Sequence, residues 1–102
     1  MTRAQLTYLV KKSIRSIDPD ARVILFGSRA RGDDYPSSDW DFLILTSSEP
    51  SEETKKKLRA SLIDAELESG EVISTIIHSK TSWINYENTF FFQNIRKDGI
   101  EL

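Results

Sequence analysis

The segment Asp39-Trp40-Asp41-Phe42-Leu43-Ile44-Leu45 constrains the fold most, because it is a short apolar run with two acids at its start. Side chains alternate between the two faces of a strand, so both acids point to the same face as Leu43 and Leu45. The opposite face carries Trp40, Phe42 and Ile44. We therefore expect a strand that continues into the core of a sheet and keeps its acidic end at the rim.

The N-terminal part of the chain predicts one helix and one buried strand. A capping-box pattern at Thr2 opens a stretch with helical spacing of apolar residues, which stops at Asp18-Pro19. Residues 23–26 are apolar and are followed at once by a glycine, which is typical of a buried strand that enters a tight turn. The polar residues 28–38 then predict a loop that has room for a helical turn.

The C-terminal part predicts two further helical regions separated by a strand. Ser51 suits a helix N-cap, and we expect that helix to end near Ser69-Gly70. Residues 72–77 are rich in β-branched side chains and predict a third strand. A short helix capped by Ser79 or Thr81, and one or two final helical turns, then lead to Gly99. This order favours an α/β (α+β) fold, a three-stranded sheet covered by helices, in one domain spanning residues 1–102.

Composition excludes several classes of protein. Fourteen Lys and Arg residues against sixteen Asp and Glu give a net charge of −2, which provides no bulk attraction to nucleic acid or anionic lipid. The chain has no cysteine, so disulfide frameworks, thiolate zinc sites and cysteine nucleophiles are excluded. No apolar run approaches the roughly 20 residues of a membrane span, and the N-terminus lacks a signal-peptide pattern. We expect a cytoplasmic protein without membrane attachment or non-specific nucleic-acid binding.

The spacing of Asp39 and Asp41 predicts a cation site. Two carboxylates on one face, about 7 Å apart along the backbone, can converge on a single ion. Oxygen ligands without His or Cys favour Mg²⁺ or Mn²⁺, which bind together with substrate phosphates. Gly27 and Ser28 suit a phosphate, because glycine lets backbone N–H groups come close and serine adds a hydroxyl. Together these residues predict a site for a metal-bound nucleotide.

The turn does not match other well-known ligand loops. No Gly-Lys-Ser/Thr follows at the distance of a Walker loop, and Arg29 stands where a dinucleotide-binding Gly-x-Gly has its second glycine. An EF-hand is excluded because Phe42 and Leu43 stand where it needs an oxygen ligand and a glycine.

The residues Phe26-Gly27-Ser28, ten further residues, and Asp39-Trp40-Asp41-Phe42 resemble the minimal nucleotidyltransferases of the DNA polymerase beta superfamily. The resemblance implies the nucleotidyltransferase fold with a mixed sheet, and Mg²⁺-dependent transfer of a nucleoside monophosphate, AMP from ATP, to a hydroxyl acceptor. It implies that Gly27 and Ser28 hold the outer phosphates. It also implies that Asp39 and Asp41 are the catalytic metal ligands. A HEPN-type toxin is an implied protein partner, with this chain as its antitoxin.

Arg29 and Arg31 have two interpretations. They can bind phosphate and neutralise the charge of leaving pyrophosphate, or they can be solvent-facing loop residues paired with Asp33 and Asp34.

The third strand departs from the family pattern, in which active members usually carry another carboxylate there. Residues 72–77 contain no acid; Ser74 or Thr75 stands in its place, and Glu71 is the nearest carboxylate. The alternative function is therefore a catalytically impaired module that binds a nucleotide or a partner.

Overall fold

A computed structural model describes residues 1–102 as a four-stranded sheet with helices packed on both faces. The helices are α1 (Arg3–Ile17), α2 (Ser28–Arg31), α3 (Glu52–Ala60), α4 (Ile63–Ser69), α5 (Lys80–Trp83) and α6 (Phe90–Asp98), with a 3-10 turn at Ile84–Tyr86. The strands are β1 (Arg22–Phe26), β2 (Trp40–Thr46), β3 (Ile73–Ser79) and β4 (Ile100–Glu101). None of the helices combines the length and the hydropathy that crossing a bilayer requires.

The sheet is mixed, with the order β3-β2-β1-β4. β1 runs antiparallel to both β2 and β4, whereas β2 and β3 are parallel. The mixed α/β fold is confirmed, but the predicted number of three strands is wrong by one. The extra strand β4 pairs Ile100 with Leu25 and Glu101 with Ile24. Two residues are too few to show a strand alternation, so this edge pairing leaves no readable pattern in the sequence.

The apolar residues of β2 pack on both sides of the sheet, as their alternation predicts. Trp40, Phe42 and Ile44 belong to the larger core cluster, which includes residues of α1, α3 and α4. Leu43 and Leu45 belong to a second cluster on the other face, with Trp83 of α5 and Ile95 of α6. The face that carries Asp41 is therefore the one covered by α5 and α6.

Local side-chain caps begin the helices where the sequence indicates. Thr2 and Gln5 form the reciprocal capping box of α1, with N–H···O distances of 2.8 and 3.1 Å. Ser79, rather than Thr81, caps α5 by accepting a hydrogen bond from the backbone N–H of Ser82 at 3.1 Å. These caps fix the residues at which α1 begins and at which the chain turns from β3 into α5.

The segment between β2 and β3 forms two helices instead of the single predicted one. The Ser61 hydroxyl donates a hydrogen bond of 2.6 Å to the carbonyl of Leu58, and α3 ends at Ala60. A serine bond to the preceding turn competes with the regular helical ladder and favours such a break. Leu58 and Leu62 are both buried in the same cluster, so the apolar stripe stays in the core across the break.

We expect Ile14→Ala to lower the free energy of unfolding by about 2 to 5 kcal/mol, because this side chain of α1 is fully buried and its removal leaves a cavity. Tyr8→Ala, on the exposed side of the same helix, should change it by no more than about 0.5 kcal/mol. Urea unfolding of both variants measures the difference. Equal stabilities would contradict the packing of α1 on the sheet.

Candidate active site

Asp39 and Asp41 lie at the rim of the sheet where β2 begins. Asp41 is paired across β2 with Phe26 of β1 on one side and with Ser74 of β3 on the other. Asp39 is exposed just before the strand, and Asp41 is half-buried. The strand period therefore brings both carboxylates to one open end of the α5/α6 face.

Gly27 connects β1 to α2 with a backbone that suits only glycine. Its φ of 74° and ψ of −159° fall in a region that other residues almost never occupy. A Cβ at this position would overlap with Oδ2 of Asp41 and would come within 3.3 Å of its Cγ. The missing side chain is what allows the turn to lie directly against the Asp41 carboxylate.

Burial raises the pKa of the Asp41 carboxyl, and the neighbouring charge of Asp39 raises it further. The guanidinium of Arg31 acts in the opposite direction and lowers that pKa. Two carboxylates that repel each other at the edge of a buried strand are stabilised by a cation placed between them. The pair thus has the electrostatics of a metal-binding site.

Ser28 opens the single turn of α2 directly after Gly27. Its hydroxyl makes no hydrogen bond within the chain, and neither does the backbone N–H of Gly27. The carbonyl of Gly27 accepts hydrogen bonds from the N–H groups of Ala30 and Arg31, which hold the turn closed. The donors at the start of this turn are left free for an oxygen-rich ligand.

Arg29 holds the loop between α2 and β2, and its side chain is only 11% exposed. Its guanidinium donates to the Asp34 carboxylate at 2.7 Å and to the carbonyl of Ser38 at 2.9 Å, and lies 4.7 Å above the centre of the Trp40 ring. Glu71 approaches it to 3.5 Å. The buried guanidinium is neither solvent-facing nor free, so the geometry gives Arg29 a task in positioning the loop and does not favour phosphate binding by it.

Arg31, by contrast, is half-exposed and pairs only with the exposed carboxylate of Asp33, at 3.2 Å. An exposed ion pair of this kind contributes little to the stability of the folded protein, so Arg31 can readily exchange Asp33 for another anion. Because its charge also acts on Asp41, Arg31 is the arginine of the turn that remains available to an anionic ligand.

Among the three candidates on and beside β3, Ser74 is the one that reaches the aspartates. Its hydroxyl lies 3.4 Å from Oδ2 of Asp39. Thr75 lines a cavity on the α3/α4 side of the sheet, and Glu71 is held by Arg29. No group of three His, Cys, Asp or Glu residues is arranged to hold a metal ion. The site offers two carboxylates and one hydroxyl, a donor set that suits Mg²⁺ with the remaining positions left to phosphates and water.

The sequence patterns did not predict that Arg29 stacks on the ring of Trp40. The alternation of β2 places Trp40 on the face opposite the acids, and its side chain is indeed buried in the core. Its ring also makes a cation–π contact with the guanidinium of Arg29, which fixes the loop. The only sequence signal is the presence of Asp34, which we considered as an ion-pair partner of the turn.

We expect Gly27→Ala to lower the free energy of unfolding more than Gly32→Ala does. Gly32 is in the left-handed helical region, where alanine costs about 1 to 2 kcal/mol. Gly27 is in a region that is essentially restricted to glycine, so its backbone strain is the larger of the two. An added Cβ meets nothing at Gly32, whereas at Gly27 it displaces the Asp41 carboxylate. Urea unfolding of the two variants provides the comparison, and equal losses would contradict both the strained conformation of Gly27 and its close approach to Asp41.

Comparison with known proteins points to one family. The family model of the nucleotidyltransferase domain matches residues 8–100. A provisionally named protein adenylyltransferase of Methanocaldococcus jannaschii is 38% identical over 94 residues, which cover 90% of each chain.

Solved structures agree on the fold. A toxin–antitoxin complex with AMP-PNP matches 92% of this chain and 69% of that chain, with a TM-score of 0.66 and 18% identity. A mutant of the toxin–antitoxin complex MntA-HpeT matches 99% of this chain and 72% of that chain, with a TM-score of 0.61 and 15% identity. Since the family model covers nearly the whole chain and a relative at 38% identity aligns with most of it, the chain belongs to the nucleotidyltransferase domain family and is an enzyme of that kind.

Proposed function

We propose that this chain transfers AMP from ATP, in a Mg²⁺-dependent reaction, to a hydroxyl group on a protein acceptor. The observation that carries the proposal is the contact of the Gly27 turn with Asp41, which puts free backbone donors beside the acid pair. A triphosphate needs both features, donors for its oxygens and a cation for its charge.

In this proposal the β- and γ-phosphates bind at Gly27 and Ser28, and Arg31 neutralises their charge. Arg31 can exchange its exposed partner Asp33 for a phosphate at little cost. Arg29 keeps Asp39 in place indirectly, since it anchors the carbonyl of Ser38, the preceding residue.

Asp39 and Asp41 would hold Mg²⁺ or Mn²⁺ and are the catalytic residues of the proposal. When bound, the metal supplies charge neutralisation and aligns the attacking and leaving oxygens. The acceptor oxygen forms a bond to the α-phosphorus while the bond from that phosphorus to the bridging oxygen breaks. Pyrophosphate then leaves, and the hydroxyl proton passes to solvent. Positioning and electrostatics carry most of such a reaction, so few other protein groups are required.

The protein acceptor is supported by the relative from M. jannaschii, whose name describes a protein adenylyltransferase. The toxin–antitoxin complex with AMP-PNP shares the fold and supports an adenine nucleotide and a paired protein. A toxin of the HEPN type is the partner we propose, with the cytoplasm as the compartment.

The second candidate function is a module that binds nucleotide and partner without efficient catalysis. The observation that favours it is the absence of an acid on β3 beside the pair, where Ser74 contributes a hydroxyl and Glu71 is engaged by Arg29. A missing general base typically costs about 10² to 10⁴ in rate.

We expect the double variant Asp39→Asn, Asp41→Asn to lose at least about 10²-fold in AMP transfer, because neither amide carries the charge that binds the metal. Transfer is measured as radioactive AMP incorporated into the co-purified partner protein, and Asp64→Asn, an exposed change on α4, is the matched control. Equal labelling by the double variant and the wild type would rule out the proposed mechanism.

We expect Ser74→Asp to raise the rate of AMP transfer at least about tenfold, since it places a third carboxylate and a base beside Asp39. Thr75→Asp adds the same charge to the opposite face of β3 and should not raise the rate. If Ser74→Asp is folded and no faster than the wild type, the hydroxyl of Ser74 is not what limits catalysis.

A further inference from the structure

A cavity of about 200 Å³ lies between the β1–α2 turn and helix α6. We call it the α6 cavity. Gly27 and Arg31 line it on one side, and Phe91, Asn94 and Asp98 line it on the other. Since Gly27 also contacts Asp41, the α6 cavity opens directly beside the proposed phosphate site. Pockets that enclose a whole drug-sized ligand measure roughly 300 to 1,000 Å³, so this one suits a single part of a nucleotide.

The walls of the α6 cavity suit a flat, neutral heterocycle. The ring of Phe91 is 39% exposed and is held edge-to-face by Phe26, at 5.6 Å between ring centres, and by Trp83, at 5.9 Å. A ring fixed in this way provides a rigid apolar wall for another aromatic group. Arg31 provides positive charge only on the side of the turn, whereas the carboxylate of Asp98 would repel a phosphate on the α6 side, so that side of the cavity suits a neutral group.

Two polar side chains of α6 face the α6 cavity without partners inside the protein. Asn94 and Asp98 are four residues apart and therefore lie on the same side of the helix. The exposed side chain of Asn94 makes no hydrogen bond, and the side chain of Asp98 makes neither a hydrogen bond nor an ion pair. Asn94 can donate and accept, whereas the Asp98 carboxylate can only accept.

This set of donors and acceptors selects among the bases. An Asn amide pairs with the N6 amino group and N7 of adenine, and a carboxylate accepts from an exocyclic amino group. Guanine presents O6 at the same edge, an acceptor that would face the Asp98 carboxylate. We propose that the α6 cavity receives the base of the donor nucleotide, and that Asn94 and Asp98 select adenine. The inference rests on the proposed function and adds its base specificity.

The test is calorimetric titration of the full chain with ATP, GTP, CTP, UTP and inorganic tripolyphosphate, each with Mg²⁺. We expect the wild type to bind ATP more tightly than GTP, and Asn94→Ala to weaken ATP binding about 10- to 100-fold, the usual range for one bidentate base contact. Binding of tripolyphosphate should stay unchanged in Asn94→Ala. Gln93→Ala, an exposed neighbour on α6 that does not line the cavity, is the matched control.

The possible results separate this inference from the proposed function. A wild type that binds tripolyphosphate and all four nucleotides equally overturns the base selection and leaves the phosphate site intact. Base selection by the α6 cavity is likewise overturned if Asn94→Ala and Phe91→Ala both keep the full preference for ATP. If neither a nucleotide nor tripolyphosphate binds with Mg²⁺, the proposed function itself fails, and the base selection fails with it.

Discussion

The contact between the Gly27 turn and the Asp41 carboxylate is the constraint on which the rest of the site depends. It follows from the antiparallel pairing of β1 and β2, in which Phe26 stands opposite Asp41, so that the residue after β1 must turn over the acid. Only a residue without a side chain can make that turn, because its φ is positive and a Cβ would overlap with the carboxylate. The strand pairing thus determines both the position of the turn and the identity of the residue in it.

The acid pair also requires that Asp39 stays at the rim of the sheet, although this residue follows a loop without regular structure. Arg29 meets this requirement from a nearly buried position. Its guanidinium contacts the carboxylate of Asp34, the carbonyl of Ser38 and the ring of Trp40, so the loop is anchored at the point where β2 begins. The two arginines of the turn therefore differ in role: Arg29 stabilises the loop, and the exposed Arg31 contributes charge next to Asp41.

The elements that carry a strong local signal could be predicted from the sequence, and the pairings between distant elements could not. The capping box of α1, the two apolar faces of β2 and the turn at Gly27 depend on spacing alone, and all are found. Strand β4 depends on the tertiary pairing of two residues, and the break at Ser61 accompanies a single side-chain hydrogen bond to Leu58; neither leaves a periodic pattern. The partner of Glu71 likewise depends on how the loop folds back, which is why Ser74, Thr75 and Glu71 could not be separated before their positions were known.

The central claim, that the turn and the acid pair form one site for a magnesium-bound triphosphate, is tested most directly by nuclear magnetic resonance. The backbone amide shifts of the ¹⁵N-labelled chain are recorded as a non-hydrolysable ATP analogue is added, with and without Mg²⁺. We expect the amides of Gly27, Ser28 and Arg31 to shift together with those of Asp39 and Asp41, and only when Mg²⁺ is present. Shifts confined to one of the two groups, or a response that is the same without the metal, would contradict the account.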